Sequence, residues 1–371
     1  MDSADSAEDR ILIIGPSWVG DMVMAQSLFI TLKRLNPGSA LDVLAPPWSR
    51  PLLQRMPQVR AAIDMPVGHG AMDIGKRRDL GRSLGERRYG QAIVLPNSFK
   101  SALIPWFADI PLRTGWRGEM RYGLLNDLRR PDKRRYPLLV QRFNALAYPR
   151  GQDLPAKQPT PFLETHRDNT RPLPDRRALP CAALEGFSLD THRRVLALCP
   201  GAEFGPAKRW PTHHYAAVAQ NRIEQGWQVW LMGSERDRDV ARAVFEGLAE
   251  EQRPYCKVLA GATTLARAVD LLALADAVVS NDSGLMHISA ALGKPLVVVY
   301  GSTSPGFTPP LQEGAMILSN SVDCGPCFRR ECPLDHRRGH LKCLNDLSPD
   351  RVIDALARFE PMDAPRPARS G

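Results

Sequence analysis

The segment Ser280-Asn281-Asp282-Ser283-Gly284-Leu285-Met286-His287 sets a small-residue turn between an apolar strand and a helix. Such a turn leaves the first N–H groups of the helix without internal partners and adds the positive end of the helix dipole, so it suits an anion such as a diphosphate. Asp and Ser at this point would also serve as a plain helix cap. The balance shifts toward a ligand because a second small-residue loop, Gly301-Ser302-Thr303-Ser304-Pro305-Gly306, follows the very next strand. Two further loops carry groups with matching chemistry. Lys208 and Arg209 follow a strand and precede a helix, where cations would hold a diphosphate and stabilise it as it departs. Asp21 stands in the first turn of another helix, where the dipole would keep it ionised and fit to act as a general base, or where it would simply cap the helix.

The elements that position these groups follow from the apolar pattern. Asp276-Ala277-Val278-Val279-Ser280 and Leu296-Val297-Val298-Val299-Tyr300 are buried strands joined by a helix from Leu285 to Leu292, with Gly293 and Pro295 as its stop signal. Strand, helix and strand of these lengths form a right-handed βαβ unit whose ligands bind at the carboxyl ends of the strands. The amino-terminal half repeats the alternation. Ile11-Leu12-Ile13-Ile14 is a strand, Met22, Ala25, Phe29 and Leu32 mark one helical face, and Leu41-Asp42-Val43-Leu44 and Gln91-Ala92-Ile93-Val94-Leu95 continue the sheet. Repeated strand and helix predict parallel sheets covered on both faces. The first loop, Gly15-Pro16-Ser17-Trp18-Val19-Gly20-Asp21, lacks the middle glycine of a dinucleotide fingerprint, and no acidic residue closes the second strand, which disfavours an NAD-dependent enzyme.

A chain of 371 residues is long for one core and ample for two domains. The segment from Tyr148 to Arg194 is punctuated by Pro149, Pro155, Pro159, Pro161, Pro172, Pro174 and Pro180 and reads as surface structure with a linker. A second domain opens at Val195-Leu196-Ala197-Leu198-Cys199, and Gln228-Val229-Trp230-Leu231-Met232 leads to a third rim loop, Gly233-Ser234-Glu235. The expected boundaries are 1–170, a linker at 171–194, 195–345, and 346–371 for a terminal helix and tail. The net charge of +9 is concentrated at Lys76-Arg77-Arg78, Arg87-Arg88, Arg129-Arg130 and Lys133-Arg134-Arg135. These clusters are either solvated faces or attract phosphates on a membrane lipid or an acidic substrate. Nucleic acid is disfavoured because no binding signature accompanies the charge. No apolar run spans a membrane, and the polar start from Met1 to Arg10 reads as cytosolic rather than as a secretory signal.

The residues that carry these loops also carry a resemblance. Ile14 to Met22, Leu95-Pro96-Asn97-Ser98-Phe99-Lys100-Ser101-Ala102, Arg113 to Asn126, Cys199 to Pro211 and Asn281 to His287 resemble the lipopolysaccharide heptosyltransferases over nearly the whole chain. The resemblance implies two doubly wound, Rossmann-like α/β domains facing a cleft, the glycosyltransferase B architecture. It implies inverting transfer of heptose from ADP-heptose to the first heptose of a Kdo-lipid A acceptor, with no metal or other cofactor required for catalysis. The enzyme would be cytoplasmic and peripherally associated with the inner membrane. Asp21 would be the base and Lys208 would neutralise the departing ADP. Gly20, Glu235, Asp282, Ser283, Gly284, Leu285 and His287 would contact the donor, with Asp282 holding heptose hydroxyls, and Lys100, Arg117 and Arg121 would contact acceptor phosphates. A carboxy-terminal helix would cross back onto the first domain. Alternatives are transfer to another core position, a sugar-nucleotide epimerase of the same architecture, or a non-catalytic membrane-surface binder.

One segment stands apart from the resemblance: Cys324-Gly325-Pro326-Cys327, then Cys332, His336, His340 and Cys343. The spacing offers soft ligands for a structural zinc or iron–sulfur site, and equally describes a loop of thiols or one disulfide.

Overall fold

The computed structural model describes residues 9–68, 70–165, 186, 187, 189 and 192–359. The chain divides into two compact units, Met1–Glu164 with Gly306–Thr308, and Thr165–Pro305 with Pro309–Gly371. In the first, β1 (Arg10–Ile14), α1 (Val19–Leu35), β2 (Ala40–Ala45), α2 (Arg50–Leu53), β3 (Val59–Asp64), α3 (Ile74–Gly85), β4 (Gln91–Val94), α4 (Leu103–Phe107), β5 (Leu112–Trp116), β6 (Asp127–Arg129) and α5 (Leu139–Asn144) follow in order. The sheet runs β3-β2-β1-β4-β5-β6, with every pair parallel. The central strands are near-continuous Ile, Leu, Val and Ala runs because helices cover both faces of a parallel sheet.

The second unit repeats this plan. Its elements are β7 (Val195–Cys199), α6 (Thr212–Glu224), β8 (Gln228–Leu231), α7 (Arg238–Glu246), β9 (Cys256–Val258), α8 (Leu265–Leu274), β10 (Ala277–Asn281), α9 (Gly284–Ala291), β11 (Leu296–Tyr300), β12 (Met316–Ser319), α10 (Lys342–Asn345) and α11 (Pro349–Ala357). The strand order is β12-β11-β10-β7-β8-β9, again all parallel. In both sheets the first and fourth strands of the unit are neighbours, so the chain leaves them toward opposite edges. Loops that diverge in this way open a crevice at the carboxyl ends of those two strands. The crevice falls at the loops after β1 and β4 in one unit and after β7 and β10 in the other.

Three features of the units go beyond what the apolar pattern gives. Helix α1 is not buried on one stripe alone: residues Met22 to Leu32 are all inaccessible, including Gln26, Ser27 and Thr31. Their polar groups are met by the proline-rich segment and by α5: Ser27 Oγ donates to the Pro159 carbonyl at 2.6 Å, the Phe162 N–H donates to Gln26 Oε1 at 2.8 Å, and Asn144 Nδ2 donates to Ser27 Oγ at 2.9 Å. The proline-rich stretch up to Glu164 is therefore part of the first unit, and most of the expected linker 171–194 lies outside the described residues. Helix α11 packs on α6 inside the second unit, where Val352 and Leu356 join its core. Trp210 Nε1 bonds the Leu347 carbonyl at 2.9 Å and Arg222 reaches that of Ile353 at 3.3 Å, so the helix is anchored within the second unit. The tail from residue 360 lies outside the described residues.

Candidate active site

The β7 and β10 loops meet on one buried amide. Asn281, the last residue of β10, accepts from the Trp210 N–H at 3.1 Å and from the Tyr215 hydroxyl at 3.0 Å, and donates to the carbonyls of Pro200 at 2.7 Å and Gly201 at 3.3 Å. A fully buried amide so satisfied fixes one backbone against another. This aligns Lys208 with Asp282. Lys208 Nζ lies 2.6 Å from Asp282 Oδ2, and the Thr303 hydroxyl, from the loop after β11, donates to the same oxygen at 2.6 Å. Asp282 is 4% exposed, and the ammonium also lies 4.9 Å from the centroid of the Phe204 ring. Three successive loops on one sheet rim thus converge on a single ion pair.

Beside that pair, α9 opens at Gly284 with Ser283 as its N-cap residue, and no side chain caps it among the described residues. The first-turn N–H groups and the helix dipole keep their capacity for an anion next to the Lys208 ammonium. Ser283, Gly284 and Leu285 are half-buried, while His287, one turn on, is 5% exposed. Burial drives the His287 ring toward its neutral form and its pKa down to about 4, partly offset by the Asp282 charge. Glu235, in the turn between β8 and α7, is exposed and paired with Arg238 at 2.5 Å.

A histidine protonated in the unfolded chain near 6.5 and resisting protonation to about 4 when folded stabilises the protein above that upper value, and this contribution is lost as pH falls between the two. The loss is on the order of 3 kcal/mol. Urea midpoints should therefore drop from pH 6.5 to 4 more steeply for the native chain than for His287→Gln. Parallel pH profiles would contradict this placement of the ring.

In the first unit, Asp21 lies half-buried in the first turn of α1, beside Gly20 and above the β1–β2 rim. Lys100 is half-buried in the turn after β4, and Arg117 is exposed just past β5. These three stand over adjacent strands. Arg121 does not join them. It is fully buried, and its guanidinium donates to the carbonyls of Pro96 at 2.6 Å and Trp116 at 3.1 Å and to Asn97 Oδ1 at 3.2 Å; burial lowers its pKa to about 10. It clasps the Lys100 loop to the β5 loop. Gly118 shows the tightness of that clasp, because a Cβ there would stand 2.2 Å from the Asn97 carbonyl oxygen. Arg77, in one of the charge clusters, is likewise buried, donating to the carbonyls of Lys100 and Ala71.

The cysteine segment contributes by packing. Cys324, Cys327, Cys332 and Cys343 line one hollow without a disulfide, and burial with the neighbouring thiols raises the Cys343 pKa. Yet no group of three or more His, Cys, Asp or Glu among the described residues is arranged to hold a metal ion. Of the two readings of this segment, the zinc or iron–sulfur one finds no support among the described residues. The segment braces the loops after β7 and β11: the Ala207 N–H donates to the Arg330 carbonyl at 3.0 Å and the Phe328 N–H to that of Ser302 at 2.7 Å. Gly205, at φ 155°, sits so close to the Arg330 carbonyl that a Cβ would be 2.5 Å from it.

Thr303, Asn281 and the Phe204 ring lie in segments that the sequence singled out, but none was given a role of its own there.

The profile of glycosyltransferase family 9 (heptosyltransferase) matches residues 77–337. The chain is 50% identical to lipopolysaccharide heptosyltransferase 2 of Salmonella typhimurium over 94% of its own length and 97% of that protein. It is 51% identical to lipooligosaccharide heptosyltransferase 2 of Haemophilus influenzae over 94% of this chain and 98% of that one. The solved structure of E. coli ADP-heptose LPS heptosyltransferase II superposes with a TM-score of 0.82 at 47% identity, covering 94% of this chain and 98% of the other. A phosphate-suited ion pair on the crevice of a second Rossmann-like unit, in a chain with these relatives, places the protein in glycosyltransferase family 9, the heptosyltransferases.

Proposed function

We propose that the protein transfers L-glycero-D-manno-heptose from ADP-heptose to the first heptose of the lipopolysaccharide inner core, with inversion at the anomeric carbon. The observation that carries this reading is the Lys208–Asp282–Thr303 cluster beside the N-terminus of α9. Cationic and N–H groups there suit the diphosphate of the donor, and Asp282 suits the sugar hydroxyls. In the reaction the acceptor hydroxyl oxygen attacks the anomeric carbon while the bond from that carbon to the diphosphate oxygen breaks. The hydroxyl proton passes to the Asp21 carboxylate. ADP departs with the bonding electrons, and the charge gained by its diphosphate is met by Lys208 and the first turn of α9. No step calls on a metal. Neutral His287 keeps a second positive charge out of the packing behind the phosphates.

On the first unit, Lys100 and Arg117 contact acceptor phosphates, and Arg121 acts through the loop it holds. The acceptor is anchored in lipid, so the enzyme works at the cytosolic surface of the inner membrane. No helix among the described residues is long and apolar enough to cross that membrane. The test is the anomeric configuration of the product: an acceptor bearing one heptose should gain one more with configuration opposite to that of the donor, and ADP should appear in equal amount. Retained configuration would overturn the single displacement.

A further inference from the structure

The first unit holds a second concentration of charge that the reaction above leaves unused. A groove of about 720 Å³ is lined by Arg129, Arg130, Lys133, Arg134, Arg135 and Arg150, against a single carboxylate, Asp132. Three of these cations are committed elsewhere. Arg129 and Arg150 share Asp127, at 2.7 and 2.6 Å, and Arg135 pairs with Asp153 at 2.6 Å. Asp132 is taken by backbone, accepting from the N–H groups of Arg134 and Arg135 at 2.9 and 3.0 Å. The side chains of Arg130, Lys133 and Arg134 are exposed, and the only carboxylate in the groove among the described residues, Asp132, feels the Arg134 charge while its Oδ1 is held by backbone. Like charges gathered in a concavity repel one another, and an anion relieves that repulsion.

The position of the groove indicates which anion. Trp116 ends β5 and Arg129 ends β6, so the groove opens at the carboxyl ends of these strands. Asp21 follows β1 on the same rim, and the strand order places β6 three positions from β1. At the usual strand spacing this is about 14 Å along the sheet. The rim thus carries a carboxylate over β1, Lys100 over β4, Arg117 over β5 and the groove over β6. The Arg117 N–H donates to the Arg129 carbonyl at 2.6 Å, joining the last two.

We propose that this groove is a subsite for phosphate groups of the acceptor, carried several sugar units away from the hydroxyl that attacks. Guanidinium groups suit phosphate because they bind two of its oxygens at once. The proposal rests on the reading of the acceptor as a phosphorylated, lipid-anchored saccharide. Its test is therefore binding without donor, which does not depend on turnover.

The full chain and the triple variant Arg130→Gln, Lys133→Gln, Arg134→Gln, matched for thermal midpoint, would be titrated with detergent-solubilised acceptor before and after phosphatase treatment. The variant should bind the phosphorylated acceptor at least ~10-fold more weakly, given the worth of one charge-assisted hydrogen bond. The two proteins should bind the treated acceptor alike. Arg130→Lys, which keeps the charge, should retain most of the affinity. Sedimentation with phosphatidylglycerol vesicles supplies the other arm. Unchanged acceptor affinity in the triple variant would overturn the proposal, and so would a loss of vesicle binding alone, which would assign the groove to bilayer headgroups. A native chain that binds phosphorylated acceptor through these residues but transfers nothing would sink the transferase reading and leave the groove standing.

Discussion

Lys208→Met lowers turnover by roughly 10²–10³-fold, the scale of losing one preorganised group that meets charge developing in a transition state. The ammonium stands beside the helix terminus proposed to hold the diphosphate, and its 2.6 Å contact to Asp282 holds it there with little freedom. The substitution has a second effect, on folding. Asp282 is 4% exposed, so without Lys208 its carboxylate keeps only the Thr303 hydroxyl, and a buried charge stripped of its partner costs about 3–5 kcal/mol. The two effects separate in the double variant Lys208→Met, Asp282→Asn. There the uncompensated charge is gone, so the urea midpoint should recover most of the loss while turnover stays low. Turnover within threefold of the native enzyme in Lys208→Met would remove this residue from the chemistry.

Asp21→Ala carries the other large effect. General-base catalysis contributes 10²–10⁴-fold, so turnover should fall at least ~100-fold. Because the groups proposed to meet the diphosphate belong to the loops after β7, β10 and β11, the KM for ADP-heptose should move far less than turnover. Stability should change by only about 0.3–1 kcal/mol, the usual worth of an acidic residue in the first turn of a helix. That combination distinguishes a base from a helix cap, since a cap alone would register in the melt and leave turnover intact.

Much of this was legible in the sequence because it depends on local order. Strand, small-residue loop and helix recur at Ile14–Asp21, Cys199–Trp210 and Ser280–Leu285, and alternating βα units place all such loops at the carboxyl ends of parallel strands. What escaped depends on contacts between distant residues. The resemblance offered Arg121 as a contact for acceptor phosphates, and only the fold reveals the Pro96, Asn97 and Trp116 acceptors closed around it. Thr303 is an unremarkable hydroxyl until β11 is laid beside β10 and brings it to Asp282. The spacing of Cys324, Cys327, Cys332 and Cys343 suggested ligands or a loop of thiols; the four line one hollow, and the bracing of the Lys208 and Thr303 loops by this segment was invisible in the spacing. The resemblance suggested a returning terminal helix, while the apolar face of α11 finds its partner on α6.

The central claim is the transfer of heptose to a particular acceptor, and the most direct measurement is the mass of that acceptor after incubation with ADP-heptose and the purified chain. Offered together, a core bearing one heptose and a core bearing none should give a single product, the first increased by one heptose, with an equal amount of ADP released. A mass gain on the heptose-free core alone would move the enzyme to the preceding step, and no gain on either would contradict the account.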